Sequence, residues 1–148
     1  MPTPMKNKEI GIYIDRTYKV VRQDLITRFK VAAIDLTPEQ WVILSKLQAD
    51  GQMSQSDLAS SSFKDKPTVS RILDLLVTKG YVERCPDGSD RRKFKIKITQ
   101  QGLAEIARAT PVVDDSRVQG WKGLTEEEHQ QLVILLDKIF GNYTESDR

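Results

Sequence analysis

Thr68, Ser70 and Arg71 follow directly on Pro67, and Lys64 and Lys66 stand just before it. Further along, Asp90 precedes Arg91, Arg92, Lys93, Lys95 and Lys97, a run with five basic residues and no acidic one from Arg91 onward. None of these side chains forms a nucleophile–base pair. Arg can donate two parallel hydrogen bonds to a guanine edge, Thr and Ser hydroxyls can bond a phosphate or a base edge, and Lys neutralises phosphate. The chemistry on offer is recognition of an anionic, hydrogen-bonding surface.

Two elements must position these groups. From Pro67 onward, Val69, Ile72, Leu73, Leu76 and Val77 fall on one side of a helical wheel, and Pro67, Ser70, Arg71, Asp74 and Thr78 fall opposite. The apolar side is a core stripe; the polar side is either a groove-reading face or a solvated one. Next, Phe94, Ile96 and Ile98 alternate with Lys95 and Lys97, the pattern of a half-buried strand with a basic outer face. Its partner is a strand around Tyr81 to Cys85, and Pro86-Asp87-Gly88-Ser89 supplies the turn. A helix of about 10–12 Å diameter fits the major groove of B-DNA, and a thin Arg-tipped hairpin reaches the minor groove or backbone. A basic strand also serves solubility or discourages edge pairing. That reading weakens where the hairpin directly follows a helix-turn-helix pattern.

Charge supports the same region. The 148 residues carry a formal net charge of +2, unevenly spread: residues 1–51 hold 8 basic and 6 acidic groups, residues 52–102 hold 10 and 6, and residues 111–148 hold 4 and 8. Phosphate attraction is local, so the basic centre decides.

Ile10, Ile14, Tyr18, Val21, Leu25 and Phe29 recur at helical spacing. A helix from Glu9 to Ala32 would be about 36 Å long, more than a small winged domain needs. Met1 to Lys8 read as a frayed tail. Thr37-Pro38-Glu39-Gln40 is a capping signature for a helix carrying Trp41, Leu44 and Leu47 and ending at Asp50-Gly51. Ser54-Gln55-Ser56-Asp57 opens a short helix with Leu58 and Ala59, followed by a polar break from Ser60 to Lys66. After Thr99 a helix with Leu103, Ile106 and Ala107 runs toward Pro111, which must kink or restart it. Thr125-Glu126-Glu127-Glu128 is a second capping box, ahead of a stripe of Leu132, Leu135, Leu136, Ile139, Phe140 and Tyr143.

The segments Leu36-Thr37-Pro38-Glu39-Gln40-Trp41, Asp57-Leu58-Ala59, Pro67-Thr68-Val69-Ser70-Arg71, Lys79-Gly80-Tyr81-Val82, Asp90-Arg91-Arg92 and Ile98-Thr99-Gln100-Gln101-Gly102, in this order and spacing, resemble the MarR (multiple antibiotic resistance regulator) family of winged helix-turn-helix transcription factors. The resemblance is clearest over residues 36–103. It implies a mainly α fold with a small β-hairpin wing: one domain, 1–148, with dimerisation helices over 9–34 and 103–145 and a winged helix-turn-helix over 36–102. It also implies a homodimeric repressor of palindromic double-stranded DNA, in which Asp90 steadies Arg92 as that Arg enters the minor groove. A small aromatic or anionic effector would release it. Lys64, Lys66, Pro67, Thr68, Ser70, Arg71, Asp90, Arg91, Arg92, Lys93 and Lys95 are the expected DNA-binding residues. The chain departs from the family at Leu75, where many relatives carry a basic residue, and at Val77, where many carry Glu. Some relatives sense oxidants through a cysteine in the N-terminal dimer region; Cys85 lies at the wing instead.

An enzyme is not expected. The sequence has no phosphate-binding glycine loop and no Cys/His metal spacing, so neither cofactor nor metal is called for. His129 lies in a polar first turn, most simply solvent-exposed. The lone Cys85 excludes an internal disulfide framework and suggests a reducing compartment, with cytoplasm as the default. No run approaches the roughly 18–20 apolar residues that span a bilayer. A winged-helix module that binds an acidic protein remains as the alternative function.

Overall fold

The computed structural model describes residues 9–88 and 90–144, with the side chains of 87 and 90–93 outside the description. The N-terminal tail expected over Met1 to Lys8, Ser89 of the hairpin turn, and the Asp90, Arg91, Arg92 and Lys93 side chains therefore lie outside it. Helices α1 (Ile10–Val31), α2 (Pro38–Asp50), α3 (Gln55–Ser62) and α4 (Lys66–Thr78) come first, with strand β1 (Gln52–Ser54) between α2 and α3. Strands β2 (Val82–Asp87) and β3 (Asp90–Ile98) and helices α5 (Gln100–Gly120) and α6 (Glu126–Thr144) complete the chain. The chain divides into two compact units, one ending at Ser116 and one beginning at Arg117.

Local chemistry sets the helix starts. The Gln40 amide donates to Thr37 Oγ1 and the Thr37 amide to Gln40 Oε1, both at 3.1 Å, closing the expected capping box with Pro38 at the first position. Ser54 accepts from the Asp57 amide at the start of α3. Asp65 accepts from the Thr68 amide at 2.7 Å at the start of α4. That amide holds the Asp65 carboxyl below the usual carboxylate range. In the second unit, Thr125 and Glu128 close the other capping box, at 3.0 and 3.1 Å.

The core of the first unit is built from Phe29, Ile34 and Leu36, then Ile43, Leu44 and Leu47 of α2, Leu58 of α3, and Val69, Leu73 and Leu76 of α4. Val82, Ile96, Ile106, Ala109 and Val113 complete it from the sheet and α5. The sheet is antiparallel in the order β1-β3-β2, with Met53 and Arg84 both opposite Ile96. Gly102 sits where a Cβ would meet the Tyr81 carbonyl oxygen, and 2.8 Å from Ile98 Cγ1. Only glycine lets α5 lie this close to the start of the hairpin.

Several expectations need correction. Helix α3 runs through Ser60 to Ser62 before the chain turns, and the Ser61 and Ser62 hydroxyls find their acceptor in the Leu58 carbonyl within the helix rather than in a loop. Strand β1 has no counterpart in the sequence pattern. Val77 is exposed while its helical neighbours Val69, Leu73 and Leu76 are fully buried, so the buried stripe is narrower than the wheel suggests. Phe94 is 46% exposed: only Ile96 of the alternating set is fully buried, since the outer part of the hairpin extends past the core. Helix α5 passes through Pro111 without a restart. Its buried Ile106, Ala109 and Val113 lie on both sides of the proline and hold both halves in one core, while Pro111 itself faces outward. His129 is half-buried, edge-on to Trp121 with ring centroids 4.3 Å apart.

Gly102→Ala should destabilise the first unit by about 1–3 kcal/mol through overpacking against backbone. Gly11→Ala, inside α1 with open space around it, should be neutral or stabilising by about 0.5–1 kcal/mol. Urea unfolding of both variants checks the contrast, and equal midpoints would refute it.

Candidate nucleic-acid interface

Helix α4 presents its polar side outward because the opposite side is locked in the core. Lys66, Pro67 and Arg71 are exposed, and Lys64, Thr68 and Ser70 are half-buried. Arg71 Nη2 donates to Thr68 Oγ1 at 3.3 Å, so two of the expected residues act as one unit, the hydroxyl steadying the guanidinium. Asp65 organises the same turn through the Thr68 amide.

The hairpin is fastened to this helix by a residue that the sequence reading missed. Arg84 of β2 pairs with Asp74 Oδ1 at 2.8 Å and donates to the Ser70 carbonyl at 3.3 Å. Ser70 therefore lies on the wing side of α4, and its carbonyl anchors the wing. The signal available was a basic residue on the strand that leaves the helix, but its target is fixed only by folding. Lys95 stands opposite Cys85 and is half-buried, while Lys97 stands opposite Glu83 and is exposed. The backbone of Asp90 to Lys93 continues β3 outward from these residues.

A second set of missed residues fixes the base of the hairpin. Lys79 Nζ lies 3.1 Å from Asp35 Oδ1 and donates to Gln40 Oε1 and to the Asp35 carbonyl, both at 3.0 Å. The Tyr81 hydroxyl donates to Glu105 Oε2 at 2.8 Å, with Asp35 Oδ2 3.3 Å from the same oxygen. Glu105 is buried, and Arg108 pairs with it at 2.6 Å while also donating to the Ala32 and Ala33 carbonyls. One polar cluster thus joins the end of α1, the α1–α2 loop, the start of α2, the end of α4, the start of β2, and α5. Burial and the two carboxylates push the Tyr81 phenol well above its ordinary value. Elsewhere, Arg22 of α1 clasps Glu39 of α2 at 2.6 Å. Asp24 of α1 accepts from Ser116 of α5 and pairs with Arg28; those partners hold its carboxyl below the usual range.

A helix held by one face, with its polar face outward and a basic two-stranded ribbon pinned beside it, defines a winged helix-turn-helix protein. Residues 34–93 match the MarR family model. A mutant of Escherichia coli MarR complexed with operator DNA is 27% identical, covers 89% of this chain and 94% of its own, and superposes with a TM-score of 0.81. The same mutant in a structure described without DNA gives 0.67 at 26% identity, covering 95% and 98% of the two chains. Bordetella bronchiseptica BpsR, described in terms of regulation of its DNA binding by 6-hydroxynicotinic acid, gives 0.82 at 24% identity, covering 94% and 97%.

The polar cluster makes a testable statement about pH. Because the folded-state pKa of Tyr81 is raised, the native chain keeps a proton that the unfolded chain releases near pH 10. The hydroxyl's contribution is complete below that pH and is lost as pH rises above it. Tyr81→Phe should cost about 1 kcal/mol at neutral pH. It should also show a smaller fall in urea midpoint than the wild type when pH is raised past about 10. Parallel falls in both proteins would contradict the assignment.

Proposed function

We propose that this chain is a sequence-specific double-stranded DNA-binding transcription regulator, acting in the cytoplasm as a homodimeric repressor. The observation that carries this reading is the exposed Lys66–Arg71 face of α4, tied through Arg84 to a basic hairpin. In this reading Thr68, Ser70 and Arg71 serve the major groove, and Lys64, Lys66, Lys93 and Lys95 neutralise phosphate. Pro67 sets the approach of the first turn. Arg92 enters a flanking minor groove, narrow and electronegative where A·T-rich, with Asp90 orienting its guanidinium, and Arg91 adds positive charge to the wing.

Dimerisation supplies the second half of the site. Ile10, Ile14, Tyr18 and Val21 of α1 are all exposed, as are Leu132, Leu136, Ile139 and Phe140 of α6, which has no buried residue among those described. Apolar surface on this scale calls for a partner, and a second copy related by two-fold symmetry would present two α4 helices to an inverted repeat. A small aromatic or anionic effector that changed the spacing of the two wings would disfavour DNA by linkage. The reading requires no catalytic step, metal or cofactor. Among the described residues no helix is long and apolar enough to cross a membrane.

The test is competition. Binding to a selected duplex should survive excess random duplex, whereas a module for acidic proteins would lose it. On the selected duplex Arg71→Ala should cost about 1–3 kcal/mol and relax preference at one base pair, while Lys95→Ala should weaken all sequences and flatten the salt slope. Equal losses for Arg71→Ala on selected and random DNA would remove it from the base-reading set.

A further inference from the structure

Asp74 is the one acidic residue in the sequence of α4, and it stands on the side of the helix turned away from the core. With Val69, Leu73 and Leu76 fully buried, a wheel of about 100° per residue sets Asp74 between Ser70 and Arg71 on the opposite side. It follows Arg71 by three residues, about 4.5 Å along the axis, so the two share one stretch of the outward face. The Asp74 side chain is 64% exposed.

A carboxylate on a face that meets a polyanion costs affinity unless it finds a donor there. Arg84 offsets its charge within the chain: the guanidinium lies 2.8 Å from Asp74 Oδ1 and also donates to the Ser70 carbonyl at 3.3 Å. That clamp fixes the carboxylate's orientation. A carboxylate has about four acceptor sites, so one ion pair does not saturate it. Phosphates, and the N7 and O6 atoms of guanine, are acceptors and repel it. The donors in the major groove are the cytosine N4 and adenine N6 amino groups. Adenine sets the acceptor N7 beside its amino group, which suits an amide side chain, whereas cytosine sets a donor alone.

We infer that Asp74 accepts a hydrogen bond from the N4 amino group of one cytosine in each half-site, so that a carboxylate specifies a base pair the basic residues do not. This rests on the DNA-binding reading above. It deepens that reading by giving the anion of α4 a specificity-determining role beyond its hold on Arg84.

The experiment uses the full chain and its selected duplex, with each cytosine replaced singly by N4-methylcytosine, which keeps the Watson–Crick hydrogen and puts a methyl group in place of the hydrogen that points into the groove. For wild type, one such position in each half-site should weaken binding about tenfold when substituted alone, within the range of a specific base contact. Asp74→Ala should bind the unmodified duplex about tenfold more weakly per half-site, although it removes a negative charge near DNA, and should be indifferent to N4-methylcytosine. Asp74→Asn, whose amide matches adenine N6 and N7, should shift the enriched base at that position from cytosine to adenine. Arg84→Met, which leaves the carboxylate and removes its clamp, should weaken all duplexes alike and keep the N4-methylcytosine penalty. A purely structural ion pair would instead make Asp74→Ala and Arg84→Met alike, each weakening every duplex with the penalty unchanged. That result overturns the inference, as does a wild type insensitive to every N4-methylcytosine, or an Asp74→Ala variant that binds as tightly as wild type or more so. Unchanged cytosine enrichment in Asp74→Asn, which preserves the size of the side chain, overturns it as well. Should wild type fail to prefer its selected duplex over random DNA, the DNA-binding reading itself falls, an outcome distinct from selective binding without sensitivity at N4.

Discussion

Val69, Leu73 and Leu76 are fully buried, and their burial fixes the azimuth of α4. Each such side chain contributes about 1.5–3 kcal/mol when taken from water. Rotating the helix by one residue would expose them and drive Ser70 and Asp74 toward the core, with Asp74 separated from Arg84. No comparable arrangement keeps the apolar set inside, so Lys66, Pro67 and Arg71 are held outward. The Asp65 cap and the Thr68–Arg71 hydrogen bond then refine a direction that packing has already chosen. The outward polar face of α4 is a consequence of the core.

The wing depends on the same helix. Arg84 draws on both Asp74 and the Ser70 carbonyl, so an outward-facing carboxylate and a backbone group of α4 become the anchor of the hairpin. At the other end of the hairpin, Tyr81 and Lys79 connect it to Asp35, Gln40 and Glu105. Glu105 is a buried carboxylate accompanied by a phenol and a guanidinium, and removal of either partner would leave a charge poorly compensated. A displacement of α5 or of the α1–α2 loop is therefore felt at the base of the wing.

Local signals made much of this legible in the sequence. Thr37-Pro38-Glu39-Gln40 and Thr125 to Glu128 specify their helix starts through residues only three apart, and the wheel from Val69 to Leu76 assigns the inner face of α4 from spacing alone. What escaped was set by distance. Strand β1 has three residues, too few for an alternation to show, and exists because the edge of β3 is open to Gln52, Met53 and Ser54. The targets of Arg84 and Tyr81 lie 14 and 24 residues away in sequence, and Glu105 belongs to a residue type whose default is exposure. Pro111 signals a break, yet the buried residues flanking it outweigh one lost backbone hydrogen bond. Of the expected site, the α4 residues and Lys95 are brought onto adjoining elements, and Asp90 to Lys93 are set on the strand that extends from them.

Two copies of α4, each fixed by its own core, should read one duplex together. Selecting bound duplexes from a random pool and reading the enriched sequence tests it directly. The expected result is an inverted repeat whose half-sites are centred about 10–10.5 base pairs apart, one helical turn, so that both α4 helices enter successive major grooves on one face. Enrichment of a single unpaired half-site, of a direct repeat, or of no sequence at all would contradict it.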